Sequence, residues 1–392
     1  MCSSTVNNQS SFTKRILVSN QAIGPLFETV ISSLRERYEV DVFIGARFVK
    51  KSLMSRLYSW FIYSLQFTIY LLLNSRKYDL IFASTNPPLV PLLCLFSRKP
   101  YSLLIYDLYP DVLHSLNFPR GLQYIHSLFV KIWASFNRKC FSKAFAIYTL
   151  SGQMKVGVSN YINNQSNCSL YVVPPWSPHS IDSHSNNKDN EIRKRFNISM
   201  DNRIIVYTGN IGLTHPLEPV IEAFYICEAS QSFNDFIFLI VGDGLKKTKL
   251  FNYARELDLL DKKIFFLDRL VDDDFYSLLS ISDMSVVALD AALAQASLPS
   301  KTFTALSFSL PILSISDEKA ALSILVTEND CGFSIQPDSE CAVAIALLLQ
   351  QLSNNHFILD GKRNNAFFTS QKFTPKNADI ILHETHLSWP SK

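Results

Sequence analysis

Two short turns in the second half of the sequence combine glycines with a preceding apolar run, a pattern suited to binding an anionic ligand. They are Gly209-Asn210-Ile211-Gly212 after Ile204–Thr208, and Gly242-Asp243-Gly244 after Phe236–Val241. The chain has only 11 glycines in 392 residues, so four of them between positions 209 and 244 is a concentrated use. A turn at a strand end leaves backbone N–H groups free, and a helix start beside it adds partial positive charge. We expect Gly209, Asn210 and Gly212 to let a negatively charged ligand approach the backbone; the alternative is a tight turn that binds nothing.

Two lysines near these turns can supply a full positive charge. Lys301 stands in Pro299-Ser300-Lys301 at the predicted start of a helix, and Lys246 lies close after Gly244. We expect Lys301 to be the main partner for phosphate groups, with Lys246 as the second candidate. Either lysine can instead be an ordinary exposed charge.

The best candidate for acid–base chemistry is a carboxylate that ends a predicted strand in the first half. Asp107 closes the run Leu103–Asp107 and can orient a hydroxyl group or share its proton; its alternative role is to cap the following turn. Asp111 is more typical of a helix cap. Asn86 lies in the loop Thr85–Pro88 after another predicted strand. Because ligands bind outside the carboxyl ends of parallel strands, we expect both loops to face one site.

Other polar residues point less clearly to chemistry. His114 and His215 are single histidines, which are more often packed than catalytic. Asp272–Asp274 has the composition of a metal site, but it precedes a helix predicted from Phe275, so we interpret it as capping and a complement to the helix dipole. The seven scattered cysteines show no metal-site spacing, which favours reduced thiols in the cytosol. We expect no secretory signal in Met1–Lys14.

Alternating strands and helices must position these residues. The strands predicted in the first half are Ile16–Ser19, Val40–Ile44, Tyr78–Ser84, Leu103–Asp107, Ala144–Thr149 and Leu170–Val173. Those in the second half are Ile204–Thr208, Phe236–Val241, Ile264–Leu267, Met284–Leu289 and Pro311–Ile315. With helices such as Leu26–Arg37 between them, the pattern predicts α/β halves with parallel sheets and right-handed crossovers.

A chain of this length is expected to form two domains rather than one. We predict a first Rossmann-like domain over residues 1–178, a linker over 179–199 and a second Rossmann-like domain over 200–375. The tail, 376–392, is predicted to return to the first domain. Two such domains facing each other across a cleft form the GT-B architecture.

The charge is divided unevenly between the two halves. Residues 1–180 contain 18 basic and 7 acidic residues, whereas the remainder contains 19 basic and 27 acidic residues. A basic half can bind nucleic acid or an anionic membrane, and no nucleic-acid motif is recognisable, so we favour the membrane. The apolar helix 57–74 is buried, interfacial or membrane-spanning. In the interfacial alternative, Arg47, Lys50, Lys51 and Arg56 lie near the headgroups. The basic, aromatic helix 119–141 is a second membrane-side candidate.

Several blocks of the sequence resemble glycosyltransferase family 4, in particular a bacterial branch of fucosyl- and fucosamine-transferases of colanic-acid and O-antigen assembly. The matching blocks are Thr85–Pro88, Asp107–Asp111, Tyr207–Gly212 with His215–Glu218, Val241–Gly244, and Leu298–Phe303 with Leu310–Ile312. They occur in the family's order over about residues 14–375. The resemblance implies a nucleotide-sugar donor held mainly by the second domain and an acceptor held mainly by the first.

The resemblance also implies a retaining transfer that needs no metal or other cofactor. The acceptor would be a lipid-linked or oligosaccharide precursor of a cell-surface polysaccharide. The protein would be cytoplasmic and peripheral on the inner face of the plasma membrane. In this interpretation Asp107 is catalytic, Gly209, Asn210, Gly212, Lys246, Lys301 and Thr304 bind the donor, and Asn86 and Asp111 lie on the acceptor side.

The chain departs from the family at its paired glutamates, which hold the donor sugar and the ribose. Alignment on Leu310-Pro311 puts these positions at Ala296 and Thr304. Thr304 can still accept a hydrogen bond, but more weakly than a carboxylate. The missing glutamates leave open a non-catalytic partner protein of the same fold. A sugar-nucleotide 2-epimerase is a further alternative because it shares the architecture, but the acidic and histidine groups that it needs around the donor sugar are not recognisable. A nicotinamide-dependent dehydrogenase is disfavoured, because Ser19–Gly24 lacks the Gly-x-Gly-x-x-Gly pattern.

Overall fold

Two six-stranded parallel sheets, one in each half of the chain, form the framework of the computed structural model. The structure describes residues 14–21, 24–45, 53–112, 123–163, 165–177, 189–196, 198–230, 235–290, 293 and 297–388. Several residues singled out from the sequence lie outside this part of the chain: Arg47, Lys50, Lys51, the side chain of Arg56, His114, Ala296 and residues 179–188 of the predicted linker.

The first sheet has the strand order β2-β1-β3-β4-β5-β6. Its strands are β1 (Arg15–Ser19), β2 (Glu39–Phe43), β3 (Leu80–Ser84), β4 (Tyr101–Ile105), β5 (Ala146–Thr149) and β6 (Ser169–Val172). Its helices are α1 (Pro25–Arg35), α2 (Leu53–Asn74), α3 (Val90–Phe96), α4 (Gln123–Lys143) and α5 (Gly152–Ser159). Every residue of β3, β4 and β5 is buried, as expected for central strands covered by helices on both faces.

The second sheet has the strand order β12-β11-β10-β7-β8-β9, with the first strand of this half in the middle. Its strands are β7 (Arg203–Thr208), β8 (Phe236–Val241), β9 (Ile264–Leu267), β10 (Met284–Ala288), β11 (Ile312–Ile315) and β12 (Gly332–Ile335). Its helices are α6 (Asp189–Arg195), α7 (Glu218–Ala229), α8 (Lys247–Glu256), α9 (Asp272–Ile281), α10 (Lys301–Ser307), α11 (Ala321–Glu328), α12 (Cys341–Asn354) and α13 (Phe357–Ser370). The strand order reverses direction between β7 and β10, where doubly wound sheets bind ligands. The predicted fold class, two parallel α/β halves facing a cleft, is confirmed.

Some elements differ from the sequence predictions. Helices α3, α5, α11 and α13 and strand β12 were not predicted, because most of them are short and α13 contains a glycine. Residues 189–195, predicted as part of the linker, form α6, which buries Ile192 and packs against α9. The limits of the domains stay predictions.

The run Asp272–Asp274 does not precede its helix. The three residues form the first turn of α9, Val271 occupies the N-cap position, and no side chain caps the helix. The acidic side chains still complement the helix dipole, and Asp274 also pairs with Arg195 of α6 at 2.5 Å.

The chain returns to the first sheet after α13. Helix α14 (Ala378–Ser388) packs against α1, and the Ser33 hydroxyl donates to Asp379 at 2.9 Å. Tyr148 of β5 and Thr385 share a buried hydrogen bond of 2.9 Å. These contacts tie the end of the chain to the half where it began.

Helix α2 is apolar on two opposite sides. One side packs into the core through Tyr63, Phe67 and Leu71, whereas the other exposes aromatic and aliphatic side chains, including Phe61 (64% exposed) and Leu72 (79% exposed). Helix α4, two helices away across α3, exposes Leu128, Phe129, Ile132 and Phe136 in the same way. Among the described residues, no single helix meets the length and hydropathy needed to cross a bilayer; Cys341–Asn354 and Phe357–His386 meet it only as a pair bent by 104°.

Candidate functional site

A cavity of about 710 Å³ lies between the carboxyl ends of the strands of both sheets. The first half contributes Tyr106 and Asp107 after β4, Leu150 after β5 and Pro175 after β6. The second half contributes the turns after β7, β8 and β9 and the segment from Ser297 to Thr304. The cavity therefore occupies the position in which open α/β sheets bind ligands.

The structure brings five of the predicted site residues to this cavity. Its lining includes Asp107, Gly209, Asn210, Lys301 and Thr304. Gly212, Lys246, Asn86 and Asp111 do not line it. The roles given to these residues stay predictions, but the geometry separates residues that can reach a ligand in the cavity from those that support its walls.

The two glycine turns pack directly against each other. The Gly209 amide donates to the Val241 carbonyl at 2.9 Å, and the Ile211 amide donates to the Asp243 carbonyl at 2.8 Å. A Cβ on Gly242 would lie 2.0 Å from the Gly209 oxygen, and one on Gly244 would lie 2.3 Å from the Ile211 oxygen. Gly242 and Gly244 thus make room for the neighbouring backbone. Gly242 also lines the cavity, and the approach of a ligand to these glycines stays a prediction.

Replacing Gly242 by alanine is expected to lower the free energy of unfolding by about 2–4 kcal/mol. Gly242 has φ of +138°, which a side chain disfavours, and the new methyl group would overlap the Gly209 oxygen. Gly361→Ala is the control: this exposed glycine lies inside α13, and a Cβ added there would meet no atom within 4 Å, so alanine should add about 0.5–1 kcal/mol. Urea denaturation of both variants measures the effects; equal stabilities would contradict the packing argument.

The amides available to an anion are fewer than the sequence predicted. Because Gly209 and Ile211 donate to the neighbouring turn, only the amides of Asn210 and Gly212 in this segment have no acceptor among the described residues. Helix α7 begins at Glu218, six positions beyond Gly212, so its dipole does not act directly on the turn. Side-chain charge must therefore supply much of any anion binding.

That charge comes from Lys301, the first residue of α10. Its Nζ atom is shielded from solvent and has no hydrogen-bond partner among the described residues. It lies 3.7 Å from the centroid of the Tyr207 ring, a cation–π distance. Burial lowers the pKa of Lys301 to about 7. An ammonium group held in this way lacks hydrogen-bond acceptors that an anionic ligand can provide.

His215 joins Tyr207 and the turn carbonyl in a small network. The Tyr207 hydroxyl donates to the Asn210 carbonyl at 2.6 Å, and the His215 Nδ1 atom lies 2.7 Å from that hydroxyl and 2.9 Å from that carbonyl. The network is satisfied when Nδ1 carries the proton, which leaves Nε2 as an acceptor. Burial and the positive charge of Lys301 lower the pKa of His215 to about 4, so the imidazole is neutral near pH 7.

Lys246 supports the turn from outside the cavity. Its ammonium group donates to Glu218 at 2.7 Å and to the His215 carbonyl at 3.0 Å. The positive charge of this nearly buried lysine is already balanced by the Glu218 carboxylate. The geometry therefore favours Lys301 over Lys246 as the phosphate partner.

Asp107 receives a hydrogen bond from the opposite half of the molecule. The Ser297 hydroxyl donates to Asp107 Oδ1 at 2.8 Å. Burial raises the pKa of the Asp107 carboxyl above its usual value, and the hydrogen bond from Ser297 opposes part of this change. Asp107 has no ion-pair partner within the described ranges.

The two acceptor-side candidates have structural partners. Asp111 accepts a hydrogen bond from the Tyr161 hydroxyl at 2.6 Å. The Asn86 carbonyl accepts from the Gln21 amide at 3.2 Å, and Asn86 is followed by a cis proline. Asn86 therefore joins the loop after β3 to the loop after β1, near the cavity but not on its surface.

Three residues of the site were missed from the sequence. Tyr207 lies close to the predicted Gly209 and Asn210, and Ser297 lies close to the predicted Lys301. No spacing pattern in the sequence links Tyr207 to Lys301 or Ser297 to Asp107. Arg269 lies after β9 and lines the cavity as a second cation. Its position at a strand end, directly after Asp268, is the available sequence signal, and it is a weak one because no glycine marks that turn.

Comparison with known proteins gives one family match and two relatives. Residues 188–365 match the family described as "Glycosyl transferases group 1". A probable glycosyltransferase of Pseudomonas aeruginosa, WbjE, is 22% identical over 309 residues, which cover 77% of this chain and 73% of WbjE. A putative colanic acid biosynthesis glycosyl transferase of Escherichia coli (strain K12), WcaI, is 32% identical over 135 residues, 34% of this chain and 31% of WcaI.

The fold is shared with a solved structure, Anabaena HepE in complex with UDP and glucose. The TM-score is 0.68 at 15% sequence identity, and the alignment covers 96% of this chain and 100% of HepE. At this identity the match shows the fold alone, which is the GT-B fold of two Rossmann-like halves.

Proposed function

We propose that this chain, which carries a group 1 glycosyltransferase domain at residues 188–365, transfers a sugar from a nucleotide-sugar donor to an acceptor in cell-surface polysaccharide biosynthesis. The names of the relatives WbjE and WcaI support the class of reaction, and the second also names a surface polysaccharide. HepE was solved with UDP and glucose, which supports a nucleotide sugar as the donor.

The observation that carries the proposal is the ammonium group of Lys301. It lies over Tyr207 without a hydrogen-bond acceptor among the described residues, at the wall of a cavity shared by both sheets. The diphosphate of a donor gains negative charge as the bond to the sugar breaks, and fixed positive groups stabilise that charge. In the proposed complex Lys301 moves from the Tyr207 ring to the diphosphate, and the Asn210 amide, at the cavity wall, adds a hydrogen bond.

The reaction forms a bond between the anomeric carbon and an acceptor oxygen. The bond from the anomeric carbon to the diphosphate breaks, and the nucleoside diphosphate leaves with the bonding electrons. Asp107 orients the acceptor hydroxyl and shares its proton as the new bond forms. Two further parts of the proposal rest on the resemblance to family 4. The anomeric configuration is retained, and the transfer does not need a metal ion. Transfer that persists in excess EDTA would support the second point.

We propose further that the acceptor is lipid-linked or an oligosaccharide, and that the first half holds the protein on the inner face of the plasma membrane. The exposed apolar sides of α2 and α4 support this, because a soluble surface rarely groups so many large apolar side chains. Lys131, Arg138 and Lys139 of α4 are exposed beside them and suit anionic headgroups.

The double variant Phe61→Glu/Leu72→Glu should bind anionic phospholipid vesicles at least about 10-fold more weakly than the unchanged protein, because two charged groups would replace apolar side chains in the interface. Flotation with the vesicles measures binding. The matched control is Leu347→Glu/Phe357→Glu in the second half, where Phe357 is 84% exposed. Equal loss in both variants would rule out a specific membrane face on α2.

A non-catalytic partner protein that binds the same donor is the second candidate. Thr304 lines the cavity at a position where the resembled family has a glutamate, so the donor is held by a weaker acceptor. Binding without turnover distinguishes this candidate from an enzyme.

The test has two stages. Isothermal titration with UDP, GDP, ADP and their sugar conjugates identifies the nucleotide, and release of nucleoside diphosphate is then measured with and without a lipid-linked acceptor. Acceptor-dependent release supports the transferase. Binding without release supports the non-catalytic partner, and conversion of the donor to its epimer supports an epimerase. If none of these nucleotides binds the protein at millimolar concentration, the proposal is overturned.

A further inference from the structure

We propose that Ser297 is a positioning residue that holds Asp107 in its reactive state from across the cleft. Its hydroxyl donates to Asp107 Oδ1 at 2.8 Å, although the two residues belong to opposite halves and are 190 positions apart. This inference rests on the proposed function, because it assigns Asp107 the task of sharing the acceptor proton.

The surroundings of Asp107 make this hydrogen bond important. A carboxylate removed from water favours its protonated form unless a cation or a hydrogen-bond donor stabilises the charge. Asp107 forms no ion pair with any described residue, and the Ser297 hydroxyl is the donor to its side chain. The bond occupies Oδ1 and leaves Oδ2 for the hydroxyl of an acceptor.

Other titratable groups share the cavity with Asp107 but form no ion pair with it. The first half contributes Tyr106, and the second half contributes His215, Asp243, Arg269, Asp272, Tyr276 and Lys301. His215 is neutral near pH 7, and the charged groups among the others make no salt bridge to Asp107 within the described part of the chain. Because His215, with a pKa of about 4, also titrates in the acid range, a shift of the acid limb is assigned to Asp107 only where Ser297→Ala causes it and Ser297→Thr reverses it.

The position of Ser297 along the chain gives the contact a second consequence. Ser297 stands four residues before Lys301, so one short segment reaches Asp107 with a hydroxyl and the proposed diphosphate with an ammonium group. Donor binding at Lys301 would thereby fix the segment that fixes Asp107. The carboxylate that orients the acceptor and the cation that binds the leaving group are held by the same stretch of backbone.

Ser297→Ala tests the inference through the pH dependence of transfer. The acid limb of kcat, where Asp107 becomes protonated, should move up by about one pH unit, since a hydrogen bond to a charged group has about this effect. At a pH near that limb, kcat should fall roughly 10-fold, while the Kd for the nucleoside diphosphate stays within about twofold. Ser297→Thr, which keeps a hydroxyl, should restore both the limb and the rate.

An unshifted acid limb in Ser297→Ala, with the rate reduced equally at every pH, would overturn the inference and leave Ser297 a purely structural residue. A wild-type protein without transferase activity would refute the proposed function instead. In that case a double-mutant cycle between Asp107→Ala and Ser297→Ala, followed by urea denaturation, still tests the contact. The coupling should be larger at pH 8 than at pH 4, because only the ionised carboxylate needs the donor; a pH-independent coupling would overturn the inference.

Discussion

Lys301→Met is expected to weaken the binding of the nucleoside diphosphate about 10- to 100-fold at pH 7, the range for a lost hydrogen bond between charged groups. Methionine keeps the length and the apolar stem of lysine but has no charge, so the packing against Tyr207 is largely preserved. Isothermal titration of both proteins gives the ratio of Kd values. Lys262→Met is the matched control, because Lys262 is exposed and pairs with Asp258 far from the cavity lining.

The pH dependence of this binding gives an independent check on the same residue. The pKa of free Lys301 is about 7, so the ammonium form, which binds the diphosphate, is lost as the pH rises above 7. Affinity should therefore decline about 10-fold for each pH unit well above 7, because each unit removes about nine-tenths of the remaining ammonium form. Lys301→Arg should bind with little dependence on pH between about 7 and 9, because arginine stays charged. If the affinity of the unchanged protein does not depend on pH in this range, the pKa of Lys301 is not lowered by burial.

The alternative assignment is resolved by the same titration. If Lys246→Met no longer binds the nucleotide and Lys301→Met still does, Lys246 is the phosphate partner. The structure argues against this result, since Lys246 already pairs with Glu218 at 2.7 Å and lies outside the cavity lining.

The strands of both sheets could be predicted well, because a buried parallel strand corresponds to a short run of apolar residues in the sequence. Phe236–Val241 and Ile264–Leu267 were predicted with the bounds that the structure shows. Helices were harder to predict. Helix α11 is apolar on nearly every side and lacks the periodic polar face that marks a surface helix. Helix α13 contains Gly361, which lowers the helix propensity of its sequence.

The candidate site was predictable only as far as strand ends determine it. Asp107, Asn210 and Lys301 were found because each follows a strand or opens a helix near the carboxyl edge of a sheet. The hydrogen bond between Asp107 and Ser297 depends on how the two halves face each other, and no pattern in a single sequence encodes that geometry. The packing of Gly242 and Gly244 against the neighbouring turn was not predicted for the same reason: contact between two turns is a tertiary property.

Asp107→Asn should lower kcat for transfer by about 10²- to 10⁴-fold, the usual contribution of a positioned acid–base group. Asparagine has nearly the same shape and can still accept the Ser297 hydrogen bond through its amide oxygen. The contact between the two halves should therefore be preserved. What asparagine cannot do is take a share of the acceptor proton. The measurement is steady-state release of nucleoside diphosphate at saturating donor and acceptor.

The binding of the donor separates a catalytic role for Asp107 from a structural one. Lys301 and the Asn210 amide are untouched by Asp107→Asn, so the Kd for the nucleoside diphosphate should stay within about threefold of the unchanged value. Asp79→Asn, at an exposed carboxylate that accepts from the Arg15 amide, is the matched control in the same half and should keep full activity. If Asp107→Asn retains more than about a tenth of the rate, the acceptor hydroxyl does not need a carboxylate, and its proton must pass to the departing diphosphate itself.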